Sequence, residues 1–157
     1  MKQKSIFHII IATGFGSGFS PFAPGTMGAI VATAMWIGLS FLVSYYQLLL
    51  ITVLLIALFT ALGIWSANKL EATWGKDPSR VVVDEMVGVW IPLLAADIAQ
   101  PYSVVLAFIF FRLFDIYKPL GIRKMESFKG GVGVMMDDVL AGIYSLVLLL
   151  GLRWVIG

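Results

Sequence analysis

The sequence predicts an all-α integral membrane bundle: about five transmembrane helices plus an N-terminal interfacial or re-entrant segment. Three observations predict it. The chain is 60% hydrophobic and only 13% charged, with a mean hydropathy of +0.96, whereas soluble domains are roughly half apolar and a quarter charged. Its apolar residues gather in runs suited to ~30 Å of hydrocarbon. Its charges gather in alternate gaps between those runs, which puts most of them on one side. The 157 residues read as a single membrane-embedded domain spanning 1–157, without internal repeats or low-complexity linkers.

The elements follow in order. Ile6–Ala12 is apolar but too short to span, so it is expected to lie at the interface or to re-enter. Lys2 and Lys4 precede it, yet no small-residue cleavage site follows, and a removable signal peptide is not expected. Gly28–Val43 and Leu48–Trp65 are two spans joined by the short polar turn at 44–47. Val87–Ala96 is too short alone, but a helix over Ser79–Ala99 suffices at ~1.5 Å per residue. Pro101 suits the first turn of the next helix, which runs to about Tyr117 and stops before Pro119. Val139–Val155 is the last span, with Asp137 and Asp138 at its start.

Charge placement supports this order. With the N-terminus inside, the inner segments carry Lys2, Lys4, Lys69, Lys76, Arg80, Arg112, Lys118, Arg123, Lys124 and Lys129. The outer side carries only Arg153, a strong positive-inside pattern for a chain with 11 basic residues. The pI near 9.0 therefore reports topology and anion contacts, and no nucleic-acid partner is expected. The same arrangement brings the polar, glycine-rich stretches 13-TGFGSGFSPFAPGTMG-28, 76-KDPSRVVVDEMVG-88 and 112–138 to one face. The chemistry is expected at the cytoplasmic surface of the membrane.

Acidic residues dominate that face: Asp84, Glu85, Asp115, Asp137 and Asp138, with Asp77 as a further candidate. A charge inside a span costs ~2.5–3.5 kcal/mol on insertion scales, so it faces the interior and finds a partner. Several carboxylates at one depth repel unless a cation shares them. Oxygen-only donors, without cysteine or a convergent histidine, favour Mg²⁺ or Mn²⁺. The plainer alternative is structural pairing, with Arg112 and Asp115 at i,i+3 and the Asp137–Asp138 pair as a helix-start charge favoured by the dipole. For the set as a whole, the metal reading is the stronger.

Arg80, Arg112, Lys118 and Lys129 lie within a few residues of an acid and suit an anion: arginine grips phosphate bidentately, lysine as a point charge. Snorkelling to headgroups is the simpler role for each. The glycines of 13–28, among Ser17, Ser20 and Thr26, offer backbone N–H groups that can cradle an anion, or merely a tight entry into the first span. His8 is the lone histidine, which excludes a two-histidine phosphatase. No D-x-D pair supports the haloacid-dehalogenase type of phosphatase, and the CDP-alcohol transferase pattern is absent. Metal-assisted phosphoryl chemistry, as hydrolysis, remains. Two other classes compete: a cation-coupled transporter using the buried carboxylates, and a structural membrane subunit.

The stretches 18-GFSPFAPGTMGA-29, 84-DEMVG-88, 112-RLFDIYKPLGI-122 and 130-GGVGVMMDDVLAG-142, in this order, closely resemble the phosphatidylglycerophosphatase A family of Mg²⁺-dependent membrane phosphatases. The resemblance implies phosphatidylglycerol phosphate as the phospholipid substrate, a bacterial inner-membrane location and a cytoplasmic active site among membrane lipids. It implies Asp84, Asp115, Asp137 and Asp138 as catalytic residues. Asp84, Glu85, Asp137 and Asp138 become candidate ligands of Mg²⁺, while Arg112, Lys118, Lys129, Arg80 and Thr26 become candidate substrate contacts. The nucleophile is either water or an aspartate.

Overall fold

A computed structural model describes residues 2–76 and 78–157, with side chains from Ile6 onward. Among them the chain forms α1 (Lys2–Ala12), α2 (Pro24–Leu42), α3 (Tyr45–Trp74), α4 (Val83–Leu93), α5 (Pro101–Tyr117) and α6 (Gly130–Ile156). No strand forms among the described residues beyond an isolated bridge between Asp97 and Gln100.

Local chemistry sets the boundaries. Pro24 opens α2, where a missing N–H costs nothing. Ser44 caps α3 through a reciprocal pair: its Oγ accepts from the Gln47 N–H at 3.3 Å, and Gln47 Oε1 accepts from the Ser44 N–H at 3.0 Å. α5 starts at Pro101 and ends where Lys118 adopts a left-handed conformation, φ 50°, ahead of Pro119.

Three helices are long and apolar enough to cross a bilayer: α2, α3 and α6. The expected count of about five is therefore not confirmed. The helix expected over Ser79–Ala99 shrinks to the 11 residues of α4, or ~16 Å at the helical rise. Its start moves because the Val82 N–H is given to Ala12 O at 2.8 Å, outside any helix. Pro92 brings no N–H to its last turn, and the chain then closes in tight turns, the Asp97 N–H bonding Ser103 Oγ at 2.9 Å. α5 has 17 residues, the lower end of the length that crosses a bilayer, about 17–25 residues. α6 begins at Gly130 rather than Val139, so Gly131 and Gly133 are helical residues.

α4 is the hub. Every one of its residues except Glu85 is buried, the pattern of a helix wrapped on all sides by others. Trp90 at its centre donates Nε1–H to Ala32 O of α2 at 3.0 Å and stacks edge-on with Phe59 of α3. Against α6 the two backbones close up at glycine: a Cβ on Gly142 would lie against Gly88 O and 3.0 Å from Ile91. Pro92, lacking an N–H, leaves the Gly88 carbonyl without its usual i+4 donor, and Gly142 packs against it.

Outside this core the helices present large apolar residues outward, among them Phe41, Leu50, Leu54, Val105 and Val147. Water would not tolerate such a surface, while hydrocarbon makes it neutral. The two ends of the bundle differ. At one, the turns are short, Arg153 Nη2 reaches Gln100 Oε1 at 3.2 Å, and a small cavity joins Val43 and Tyr45 to Ala96 and Ile98. At the other end lie the long loops 13–23, 75–82 and 118–129, and the acids.

Candidate active site

Three helices carry the acids to one place. Asp84 and Glu85 sit in the first turn of α4, Asp115 near the end of α5, and Asp137 and Asp138 in the third turn of α6. The late position of the α6 pair matters, because the helix dipole acts only within the first turn. A helix-start charge, the plain alternative for Asp137 and Asp138, is thereby removed. Asp84, Asp115, Asp137 and Asp138 are all buried, at 7% exposure or less.

Two sets of contacts form within the site. In the first, Asp84, Glu85 and Asp138 each offer a carboxylate oxygen within 4.8 Å of the others. Asp84 Oδ1, Glu85 Oε2 and Asp138 Oδ2 are buried without a hydrogen-bond partner among the described residues. An unpaired buried carboxylate oxygen is costly, and three together repel one another. A hard divalent cation with oxygen-only donors answers both costs, so the residues present fit Mg²⁺. Asp137, also a candidate ligand, spends its Oδ2 elsewhere.

In the second set, Lys118 Nζ lies 2.6 Å from Asp137 Oδ2, 3.7 Å from Asp115 Oδ1 and 3.5 Å from Glu126 Oε1. Burial lowers the ammonium's pKa, but the Asp137 hydrogen bond and the charges of Asp137, Asp138 and Asp115 outweigh it. Lys118 is thus held above the ordinary lysine range, a cation at neutral pH. Its left-handed backbone turns it back over the helix ends instead of out along α5. Arg112 pairs with Asp115 Oδ2, as its i,i+3 spacing predicts, while its Nε is buried without a partner. Arg112 therefore keeps donor capacity for an anion.

The glycine-rich stretch 13–28 closes the site from the side. A Cβ on Gly25 would sit 2.8 Å from Glu85 Oε1, and one on Gly28 2.8 Å from Val82. Only glycine lets the start of α2 come this close, and it places half-buried Thr26 in the helical turn beside Glu85. Arg80 and Lys129 are not drawn in. The Arg80 guanidinium stacks 4.8 Å over Trp74, and Lys129 is an exposed residue just ahead of α6. Asp77 lies outside the described residues. His8 is buried with Nδ1 2.9 Å from Ser66 Oγ, joining α1 to α3.

Two contributors were not singled out from the sequence. Asn68 Oδ1 accepts the Gly131 N–H at 2.6 Å, fixing the start of α6 to α3; an amide far inside a largely apolar helix was the available signal. Glu126, on the short 3-10 turn Ile122–Ser127, reaches Lys118, and its placement in a loop hid it.

The sequence model of phosphatidylglycerophosphatase A matches residues 10–153. The chain belongs to the phosphatidylglycerophosphatase A family. Similar proteins of that name come from Escherichia coli K12, 35% identical over 161 residues (all of this chain, 90% of the relative), and Haemophilus influenzae Rd, 37% identical over 158 residues (98% and 94%). A Bacteroides thetaiotaomicron protein is 64% identical over 159 residues, covering the whole of both chains, and bears the provisional name phosphatidylinositol-3-phosphatase. No solved structure matches. Family membership makes the chain a phosphatase, and its apolar helices make it a membrane protein.

The transporter reading finds no support. Apart from the His8–Ser66 pair and Thr13, the buried polar side chains away from the acids are Thr52, Ser103 and Ser145. Each spends its hydroxyl on a local backbone carbonyl, at 2.6 to 2.7 Å. Among the described residues this marks no ion path through the bundle.

Proposed function

We propose that the chain hydrolyses the terminal phosphomonoester of phosphatidylglycerol phosphate, releasing phosphatidylglycerol, with Mg²⁺ as cofactor at the cytoplasmic face of a bacterial inner membrane. The observation that carries this reading is the juxtaposition of three orphaned carboxylate oxygens with two cations, Arg112 and Lys118, at one end of a lipid-facing bundle. Asp84, Glu85 and Asp138 would hold the ion, which when bound supplies positive charge to phosphate oxygens and makes water a better nucleophile.

The chain's own residues do the remainder. Arg112 binds a phosphate oxygen through its free Nε–H, and Asp115 fixes the guanidinium plane. Lys118 places its ammonium against charge that builds on the equatorial oxygens as the P–O bond to the headgroup breaks. Asp137 holds that ammonium in place. A buried carboxylate accepts the proton of the attacking water, and the departing headgroup oxygen is protonated in turn. The acyl chains stay in the bilayer beside α2, α3 and α6.

The cytoplasmic placement rests on the basic residues of the inner loops. A second substrate reading is favoured by one observation. The relative at 64% identity is named for a phosphatidylinositol phosphate, whereas those named for phosphatidylglycerol phosphate stand at 35% and 37%. Phosphate release by the detergent-solubilised protein, measured on both lipids side by side with Mg²⁺, tests the proposal. Faster release from phosphatidylglycerol phosphate is expected. Preference for the inositol lipid moves the headgroup assignment and keeps the chemistry, and release from neither ends the proposal.

A further inference from the structure

Beside Lys118 the protein has an open groove of about 290 Å³ lined by Lys76, Glu126, Gly133 and Val134, near the lower end of ligand-pocket sizes, ~300 Å³. It adjoins the site by construction. Gly133 and Val134 lie four residues before Asp137 and Asp138, hence on the same face of α6 and one turn, ~5.4 Å, farther out. A Cβ on Gly133 would run into the carbonyls of Phe128 and Glu126. The bare glycine is what lets the 126–128 backbone lie against α6 and hold Glu126 at the groove.

Glu126 differs from the other acids around Lys118. Its side chain is 44% exposed, while that of Asp137 is 6% exposed. It faces the groove from beside the cation that would grip the phosphate. A carboxylate repels phosphate but accepts hydrogen bonds from hydroxyls, as strong charge-assisted ones. Lys76, on the same groove, offers the opposite charge.

Resting on the lipid-phosphatase reading, we propose that this groove is the subsite for a polyol headgroup flanked by two phosphates. With the terminal phosphate on Arg112 and Lys118, Glu126 accepts from the free hydroxyls of the polyol. Lys76 meets the phosphodiester that joins the polyol to the diacylglycerol. A lipid whose phosphate is attached directly to diacylglycerol reaches the cations but leaves Glu126 and Lys76 without partners. Glu126 is thus a specificity-determining residue that reads hydroxyls.

Inhibition constants separate this role from simple support of Lys118. The dephosphorylated lipid product occupies only the groove, and inorganic phosphate only the cations. In Glu126→Ala, KM for the phosphorylated polyol lipid and Ki for its dephosphorylated product are both expected to rise about tenfold, as for loss of a charged hydrogen bond. Ki for inorganic phosphate stays at the wild-type value. Glu126→Gln, which keeps an acceptor oxygen, recovers part of the loss. Glu126 is a half-exposed loop residue, so these variants fold. An unchanged product Ki, or a phosphate Ki that rises with it, overturns the subsite. No turnover by the wild type on either polyol lipid removes the phosphatase reading, and the subsite with it.

Discussion

At the scale of single residues, the site is a balance of charge that the protein leaves unfinished. Lys118 offsets Asp137 and Asp115, and Arg112 offsets Asp115 again, but among the described residues no base forms an ion pair with Asp84, Glu85 or Asp138. A purely structural network would have closed those pairs, since an uncompensated buried charge is strongly destabilising. Asp138→Asn is therefore expected to cut turnover at least ~100-fold, the cost of losing a key charge group. The same change relieves repulsion, so detergent-solubilised Asp138→Asn should unfold at or above the wild-type temperature. A variant that loses turnover only because it unfolds would instead mark Asp138 as structural. The acids were legible in the sequence because a charge inside an apolar run stands out. Glu126 was not, because a carboxylate in a polar loop looks like any solvated one. The split between Asp137, which holds Lys118, and Asp138, which faces Asp84 and Glu85, was also beyond reach. Neighbouring residues on a helix point ~100° apart, and nothing in the string D-D says which points where.

At the scale of elements, glycine decides how near the acids come. α4 and α6 touch through Gly88 and Gly142, and α2 meets α4 through Gly25 and Gly28, the small-residue packing that membrane helices use in place of a hydrophobic driving force. Gly142→Leu has no room beside Gly88 O and Ile91 and must push α6 away from α4, separating Asp138 from Asp84. Overpacking of this kind costs about 1–3 kcal/mol, readable as a lowered unfolding midpoint in detergent. Turnover is expected to fall as well, since ~1 Å of misplacement can cost a hundredfold. Wild-type turnover in Gly142→Leu would mean that this contact does not set the site. Here the sequence misled in an instructive way. Gly130, Gly131 and Gly133 fall ahead of the span expected from Val139, and glycine disfavours helix by ~1 kcal/mol per residue. They are helical because Gly131 packs on the Ile64 backbone and Gly133 on that of Phe128, where any side chain would collide. Tertiary packing overrode propensity, and α6 gained two turns. The shortening of α4 has a similar origin: hydrophobicity continued past Leu93, but Pro92 and the turns that follow it did not.

At the scale of the whole molecule, all the long polar loops lie at the end that holds the acids, and short turns close the other. The alternation of apolar runs and basic gaps made this polarity visible without coordinates. What it leaves unconfirmed is the number of full spans: three helices are long and apolar enough to cross, and a helix buried on every side, like α4, is as apolar as one that faces lipid. The chain has no cysteine, so single cysteines report topology directly. Ser127→Cys is expected to react with a membrane-impermeant maleimide only when the cytoplasmic face is accessible, and Ser44→Cys only when the opposite face is. Labelling of both from the same side would reverse or dissolve the proposed orientation. On the proposed reading, the whole bundle would serve to hold α4 and α6 carboxylates beneath a lipid headgroup, close enough to share one ion. Phosphate release from phosphatidylglycerol phosphate by metal-stripped protein, titrated with Mg²⁺, addresses that directly. The account predicts no release at zero metal, saturable recovery for the wild type, and no recovery for Asp138→Asn; full turnover by the stripped protein would contradict it.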